Sequence, residues 1–211
     1  MKDYEVILSI LEQYNNTDRT VILANLNMAI AIQKENGLPV DRYVTIPIVT
    51  NRSKYTVMQW FQRDWIKIPV VDLGVLSEYL GYNIYAFFVA HDDGLTKTEF
   101  IQSSADCDRL YGSDCTHLFN EIVKLHLKTD KMVVIGNIED YFGTASEIVG
   151  RKSSERREAI MTATGCNVHT CYAWFNKART DIRIPLESVC RIAKMARKDV
   201  RYMLTPHEYN V

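Results

Sequence analysis

The amino-acid sequence predicts an all-α protein made of two similar helical units on one chain, and three observations carry that prediction. The first is a long internal repeat. Thr17-Asp18-Arg19-Thr20-Val21-Ile22-Leu23-Ala24-Asn25-Leu26 returns as Thr129-Asp130-Lys131-Met132-Val133-Val134-Ile135-Gly136-Asn137-Ile138. Trp60-Phe61, followed by Ile66-Lys67-Ile68-Pro69-Val70, returns as Trp174-Phe175, followed by Ile182-Arg183-Ile184-Pro185-Leu186. The offset grows from 112 to 114 to 116 residues, so two small insertions separate the copies. Solenoid units repeat every ~20–50 residues, so this longer period points to a duplicated domain. The second observation is apolar residues at helical spacing along almost the whole chain, punctuated by proline, glycine and capping residues. The third is length: 211 residues accommodate two domains of ~100 residues, each large enough for a small core.

The elements follow in order. Residues 3–14 place Val6, Ile7, Ile10 and Leu11 on one helical face, and Ile122 and Val123 match the last two in the second copy. Residues 18–35 form a second amphipathic segment, stopped by Asn36-Gly37. Residues 39–51 contain Pro47, which lacks a backbone donor, so this stretch is either a short helix starting near the proline or a kinked one. Residues 53–63 and 69–80 read as two helices, with Ser53 as N-cap and Pro69 in a first turn. Gly81 ends the second of these, and Asn83 opens a last short helix through Phe88. Residues 91–113 hold His-Asp-Asp-Gly, Ser103-Ser104 and Tyr-Gly-Ser, the chemistry of an acidic linker around one short element, with a hairpin near residues 95–102 as an open alternative. The second copy repeats the plan. A helix opens near Ser153-Ser154 and runs through Thr164, Gly165 breaks it, and Asn167 caps residues 168–177. Pro185 starts a helix through Ala196, and Asp199 caps the last one, through Leu204. The expected division is residues 1–90 for copy one, 91–113 for the linker and 114–211 for copy two.

Composition narrows the function classes. Hydrophobic residues at 47% and charged residues at 24% are ordinary for a soluble globular chain. No apolar run approaches the ~18 residues that span a bilayer, and Met1-Lys2-Asp3-Tyr4-Glu5 lacks the basic start of a signal peptide. Five cysteines (107, 115, 166, 171 and 190) are an odd number, which argues against a disulfide framework and for a cytoplasmic protein with reduced thiols. The net charge of −1 conceals an asymmetry. Residues 151–205 carry 12 Lys/Arg against 5 Asp/Glu, residues 17–88 carry 7 against 6, and residues 89–150 carry 5 against 11. A basic second copy beside an acidic middle suits a polyanion-binding domain, although a charged patch is equally the mark of a solvated face. His91, Cys107, Cys115 and His117 are too sparse for a zinc-finger spacing, so no metal is expected. No phosphate loop, nucleophile elbow or metalloprotease helix occurs, and no cofactor is implied. Two ~90-residue helical units leave no room for a catalytic domain, so the chain is not expected to be an enzyme.

One motif speaks to function. Residues 160–176 read Ile-Met-Thr-Ala-Thr-Gly-Cys-Asn-Val-His-Thr-Cys-Tyr-Ala-Trp-Phe-Asn: a helix ends at a glycine, three residues turn the chain, and a capped helix follows with Cys171 and Trp174 inward. Copy one reads Ile-Pro-Ile-Val-Thr-Asn-Arg-Ser-Lys-Tyr-Thr-Val-Met-Gln-Trp-Phe-Gln from residue 46, with Asn51 in the place of Gly165. Glycine takes a left-handed turn position without steric penalty, and asparagine is next best. This pattern resembles the helix-turn-helix of prokaryotic and phage DNA-binding proteins. Arg183 through Met195, with Pro185 starting the helix, and Asp199 through Leu204 are similar to the two helices that follow in the phage-repressor-like (XRE, lambda-repressor fold) family, and Glu35-Asn36-Gly37-Leu38 resembles the end of that family's first helix. The likeness covers residues 18–88 and 130–204. Copy one departs from it at Arg52, where the family has a small apolar residue, at Pro47, and in a longer segment between Gly37 and Asn51.

The resemblance implies sequence-specific binding of double-stranded DNA by a transcription regulator, with a recognition helix in the major groove. Its base-facing residues would be Lys54, Tyr55, Met58, Gln59 and Gln62 in copy one, and Val168, His169, Tyr172 and Asn176 in copy two. Phosphate contacts would come from Arg151, Lys152, Arg156, Arg157, Lys177, Arg179 and Arg183. Trp60 and Trp174 share the inward face with Val57 and Cys171, so they read as core and not as base-stacking residues. Two unlike recognition helices on one chain suggest a monomeric pseudo-dimer, with a homodimer as the other arrangement. The rival reading is a helical protein-interaction or structural module of a phage or mobile element, with a protein partner.

Overall fold

Helix ends leave backbone groups without intrahelical partners, and the side chains that satisfy them mark out this fold. The structure, a computed structural model, describes residues 2–91, 94–149, 153–179 and 181–207. It is all-α: the described residues form twelve α-helices and one 3-10 helix, with no strand among them. No helix among the described residues is long and apolar enough to cross a membrane.

The chain divides into two units. The N-terminal unit comprises residues 9–120, and the C-terminal unit comprises residues 121–211 together with residues 1–8. This departs from the expected 1–90, 91–113 and 114–211. Helix α1 (Asp3–Asn16) contributes its first residues to the C-terminal unit, and α7 (Cys115–Lys128) contributes residues 115–120 to the N-terminal one.

In the N-terminal unit, α2 (Arg19–Glu35) is capped by Asp18, whose carboxylate accepts from the Thr20 amide at 2.7 Å. Helix α3 (Thr45–Thr50) starts two residues before Pro47. The proline therefore sits in the first turn, where its missing donor costs no intrahelical bond. Helix α4 (Lys54–Gln62) is capped by the Ser53 hydroxyl, which accepts from the Thr56 amide at 3.0 Å. Helix α5 (Val70–Leu80) follows Pro69, which is the N-cap itself, and ends at Gly81 with φ 73°. Asn83 caps the 3-10 helix η1 (Ile84–Phe88), which is buried throughout. The segment expected to be an acidic linker holds a 15-residue helix, α6 (Lys97–Tyr111). Thr96 and Glu99 form a reciprocal capping box, and Phe100, Ser104 and Cys107 form its buried stripe against α2 and η1.

In the C-terminal unit, α8 (Lys131–Val149), α9 (Ser153–Thr164), α10 (Val168–Phe175), α11 (Leu186–Ala196) and α12 (Val200–Leu204) follow. Helix α10 ends at Phe175, two residues before the expected end. Arg197 takes the left-handed position after α11 with φ 54°, as Gly81 does after α5. Asp199, expected to cap α12 with its side chain, makes no such bond. The first α12 amide, Val200 N, instead donates to both carboxylate oxygens of Asp3 at 3.0 Å, while Asp199 pairs with Lys2 at 3.6 Å.

The internal polar contacts of the two units recur at the offsets seen in the sequence or within two residues of them. Asn25 Nδ2 donates to the carbonyls of Phe87 and Val89, and Asn137 Nδ2 to those of Tyr202, Met203 and Thr205. Tyr14 Oη donates to Ile68 O at 2.9 Å; His126 Nε2 meets Ile184 O at 2.9 Å. Lys67 donates to the carbonyls of Tyr14 and Thr17, Arg183 to those of His126 and Leu127. Ile84 N donates to Thr116 Oγ1 at 2.8 Å, as Val200 N does to Asp3. Each unit's last short helix is therefore anchored from the beginning of α7 or of α1.

Candidate nucleic-acid interface

Helices α3 and α4 are joined by residues 51–53, and α9 and α10 by residues 165–167. Each turn opens on a left-handed residue, Asn51 at φ 53° and Gly165 at φ 71°, and closes on a side-chain cap. Ser53 serves α4, and Asn167 serves α10 by accepting from the Thr170 amide at 2.8 Å. Val57 and Trp60 of α4 and Cys171 and Trp174 of α10 are buried, so both tryptophans are core residues.

A cation fixes the far end of each of these helices. Arg19 donates to the carbonyls of Trp60 and Ile66, both at 2.8 Å. Lys131, itself buried, donates to Ala173 O, Asn176 O and Arg179 O at 3.3, 3.1 and 2.6 Å. Trp60 O and Ala173 O lie in the last turns of α4 and α10, at the negative end of the helix dipole, which favours a cation there. Burial holds the Lys131 amine below its usual pKa, with Asp181 opposing that shift.

The outward faces carry the residues predicted to read bases. Lys54, Tyr55 and Gln62 are exposed on α4, and Met58 and Gln59 are half-buried there. Gln59 Oε1 accepts from Arg63 Nε at 3.2 Å. On and just after α10, Val168, His169, Tyr172 and Asn176 are all exposed.

The predicted phosphate contacts divide into two groups. Arg156 and Arg157 of α9 lie beside α10, with guanidinium carbons 5.9 Å from the Phe175 ring centre and 4.6 Å from that of Tyr172. Arg157 also donates to the Tyr172 hydroxyl. Neither has a carboxylate partner among the described residues. By contrast, Lys177 pairs with Glu139 at 3.1 Å and Arg179 with Asp181 at 3.3 Å. The Arg183 guanidinium is engaged by the α7 carbonyls. Arg151 and Lys152 lie outside the described residues.

Arg52, the departure in copy one, has a structural explanation. Its Nε lies 3.0 Å from the carboxylate of Asp72 on α5, a side chain only 3% exposed. Burial pushes the Asp72 carboxyl above its ordinary range, and the Arg52 hydrogen bond and charge oppose that rise. The matching positions in the other unit are Cys166, half-buried, and Ser188, buried. A charged pair thus occupies the place of two small residues, and the turn keeps its left-handed start.

Sequence reasoning passed over Arg42. It lies in the turn before α3, its guanidinium carbon 5.1 Å from the centre of the Phe61 ring. Arg42 and Phe61 precede Arg156 and Phe175 by 114 residues, so the offset alone could have found it. The four buried cysteines and the half-buried Cys166 are free, and no group of three or more His, Cys, Asp or Glu suited to a metal occurs among the described residues. No protein-family model, curated protein or solved structure matches this chain.

Proposed function

We propose that this protein binds double-stranded DNA sequence-specifically, as a prokaryotic or phage transcription regulator that carries two recognition helices, α4 and α10, on one duplicated chain. The observation that carries the reading is the twice-occurring unit of helix, three-residue turn with a left-handed first residue, and side-chain-capped helix. Beside each capped helix stands an arginine held over an aromatic ring. A recognition helix presents outward residues from its N-terminal part to base edges, while flanking cations neutralise phosphates and set register. Val168 suits the thymine methyl, and the Gln59 amide has the donor and acceptor that pair with the edge of adenine. Because the two outward faces differ, the target is two unlike half-sites bound by one chain acting as a pseudo-dimer.

Selection of bound sequences from a random duplex library tests the reading directly. The expected result is an enriched site of two dissimilar halves, with affinity falling steeply as salt rises. A palindrome bound by two chains through α10 alone would replace the pseudo-dimer with a homodimer.

A protein-interaction role has one observation in its favour. Val44, Ile48 and Tyr55 are 60, 76 and 67% exposed on the N-terminal unit, where the other unit has Glu158, Thr162 and His169. Absence of duplex binding, together with a specific protein partner that Ile48→Glu abolishes, would favour that role.

A further inference from the structure

We infer that Arg42 is a phosphate-binding residue, held ready by Phe61, and that the N-terminal unit grips the DNA backbone through it despite its near-neutral charge. The inference rests on the DNA-binding reading above and extends it to a residue and a unit whose composition gave no sign of it.

The turn that carries Arg42 is tightly fixed. The amide of Thr45 donates to Asp41 O at 2.9 Å, the Asp41 amide donates to Thr45 Oγ1 at 2.9 Å, and that hydroxyl donates to Pro39 O at 3.0 Å. The Asp41 carboxylate, the nearest acid in sequence, accepts from the Tyr43 amide at 2.7 Å. Tyr43 meets Phe61 edge-on, with ring centres 6.5 Å apart, and Arg42 lies over the same ring. Phe61 stands on α4 next to the buried Trp60, so the guanidinium is positioned relative to the recognition helix and not free on a loop.

Arg42 has no carboxylate partner among the described residues. Four other cations of the unit are engaged elsewhere: Arg52 with Asp72, Lys97 with Glu35, Lys67 with backbone carbonyls, Arg19 with carbonyls and Asp64. Arg42 is half-buried, and a guanidinium lying over an aromatic ring keeps donors of its planar fork available to match phosphate oxygens. The same arrangement recurs 114 residues on, where Arg156 lies over Phe175. That pair stands in the strongly basic segment, where a polyanion contact is expected on charge alone. The shared geometry assigns the same ligand to both.

The experiment uses the full-length protein and the duplex it selects, titrated across salt concentrations. Arg42→Ala is expected to weaken binding roughly three- to tenfold near 0.1 M salt and to reduce the slope of log affinity against log salt by about one, the share of a single phosphate. Arg42→Lys, which keeps the charge but not the fork, should keep the slope and lose part of the affinity. One neutral methylphosphonate at the contacted phosphate should weaken the wild type and leave Arg42→Ala unchanged. Wild-type binding with an unchanged slope in Arg42→Ala would overturn this inference alone. So would equal losses of affinity and slope in Arg42→Ala and Arg42→Lys, which would mark a structural role. A wild type that binds no duplex would overturn both this inference and the reading it rests on.

Discussion

At the scale of single residues, buried polar groups report most directly on how each unit is held. Asp72 is the sharpest case, because its carboxyl is raised by burial and only Arg52 opposes the rise. A raised folded pKa means that the neutral acid stabilises the fold. That contribution is complete below the unfolded carboxylate pKa and disappears as pH climbs through the folded value. Arg52→Met removes the compensation, so it should destabilise the protein by about 1–3 kcal/mol at neutral pH and by less near pH 4. Urea melts at the two pH values check the sign. Adding Asp72→Ser, the residue of the matching position, should recover most of the loss, whereas equal losses at both pH values would contradict the account. Asn25 and Asn137 offer a second test. Asn137→Asp would set a carboxylate against the three carbonyls that its amide now serves, so it should cost more than Asn137→Ala, itself expected at about 2–3 kcal/mol. Denaturant midpoints of the two variants decide the order.

At the scale of elements, boundaries depend on which residues tolerate the left-handed conformation. Arg197 adopts φ 54° where the other unit has Gly81. A residue with a Cβ is strained there, and glycine is the usual solution at such an end. Arg197→Gly should therefore raise stability by about 0.5–1 kcal/mol, less whatever the more flexible unfolded chain takes back. Gly165 gives the mirror test. No atom beyond its chain neighbours lies within 4 Å of where its Cβ would be, so the cost of Gly165→Ala is backbone strain alone, about 1 kcal/mol. A thermal melt of each variant checks both signs, and a stabilising Gly165→Ala would show that the turn is not held as described.

At the scale of the molecule, each unit closes with a helix beginning borrowed from elsewhere in the sequence. Residues 1–8 belong with residues 121–211, and Asp3 supplies the cap that Asp199 does not. Deleting residues 1–8 should accelerate hydrogen exchange in α11 and α12 and leave α2 and α5 protected. Asp3→Ala alone should cost about 1 kcal/mol, the usual worth of an N-cap. Equal acceleration in residues 17–88 and 130–204 would contradict this assignment.

The sequence by itself determined what is local. Most helices are specified by a period of apolar residues together with a cap or a left-handed stop a few positions away, so Ser53, Asn83 and Asn167 read as caps and Gly81, Asn51 and Gly165 as stops. The inward tryptophans followed from spacing alone. Helix α6 is equally local in its cause, since Thr96 and Glu99 form a capping box ahead of Phe100, Ser104 and Cys107, yet the surrounding serines and acids have the composition of a linker. Tertiary structure decided what depends on residues far apart in the chain. That Asp3 caps α12, that Thr116 receives the Ile84 amide, and that Arg52 finds Asp72 are pairings across 197, 32 and 20 residues, which no local period encodes. The same holds among the arginines. Arg183 and Arg42 look alike in sequence, but one is drawn to carbonyls at the end of α7 and the other is laid on Phe61. A long charged side chain goes to whichever partner the packed backbone brings within reach, and only the folded chain sets that distance.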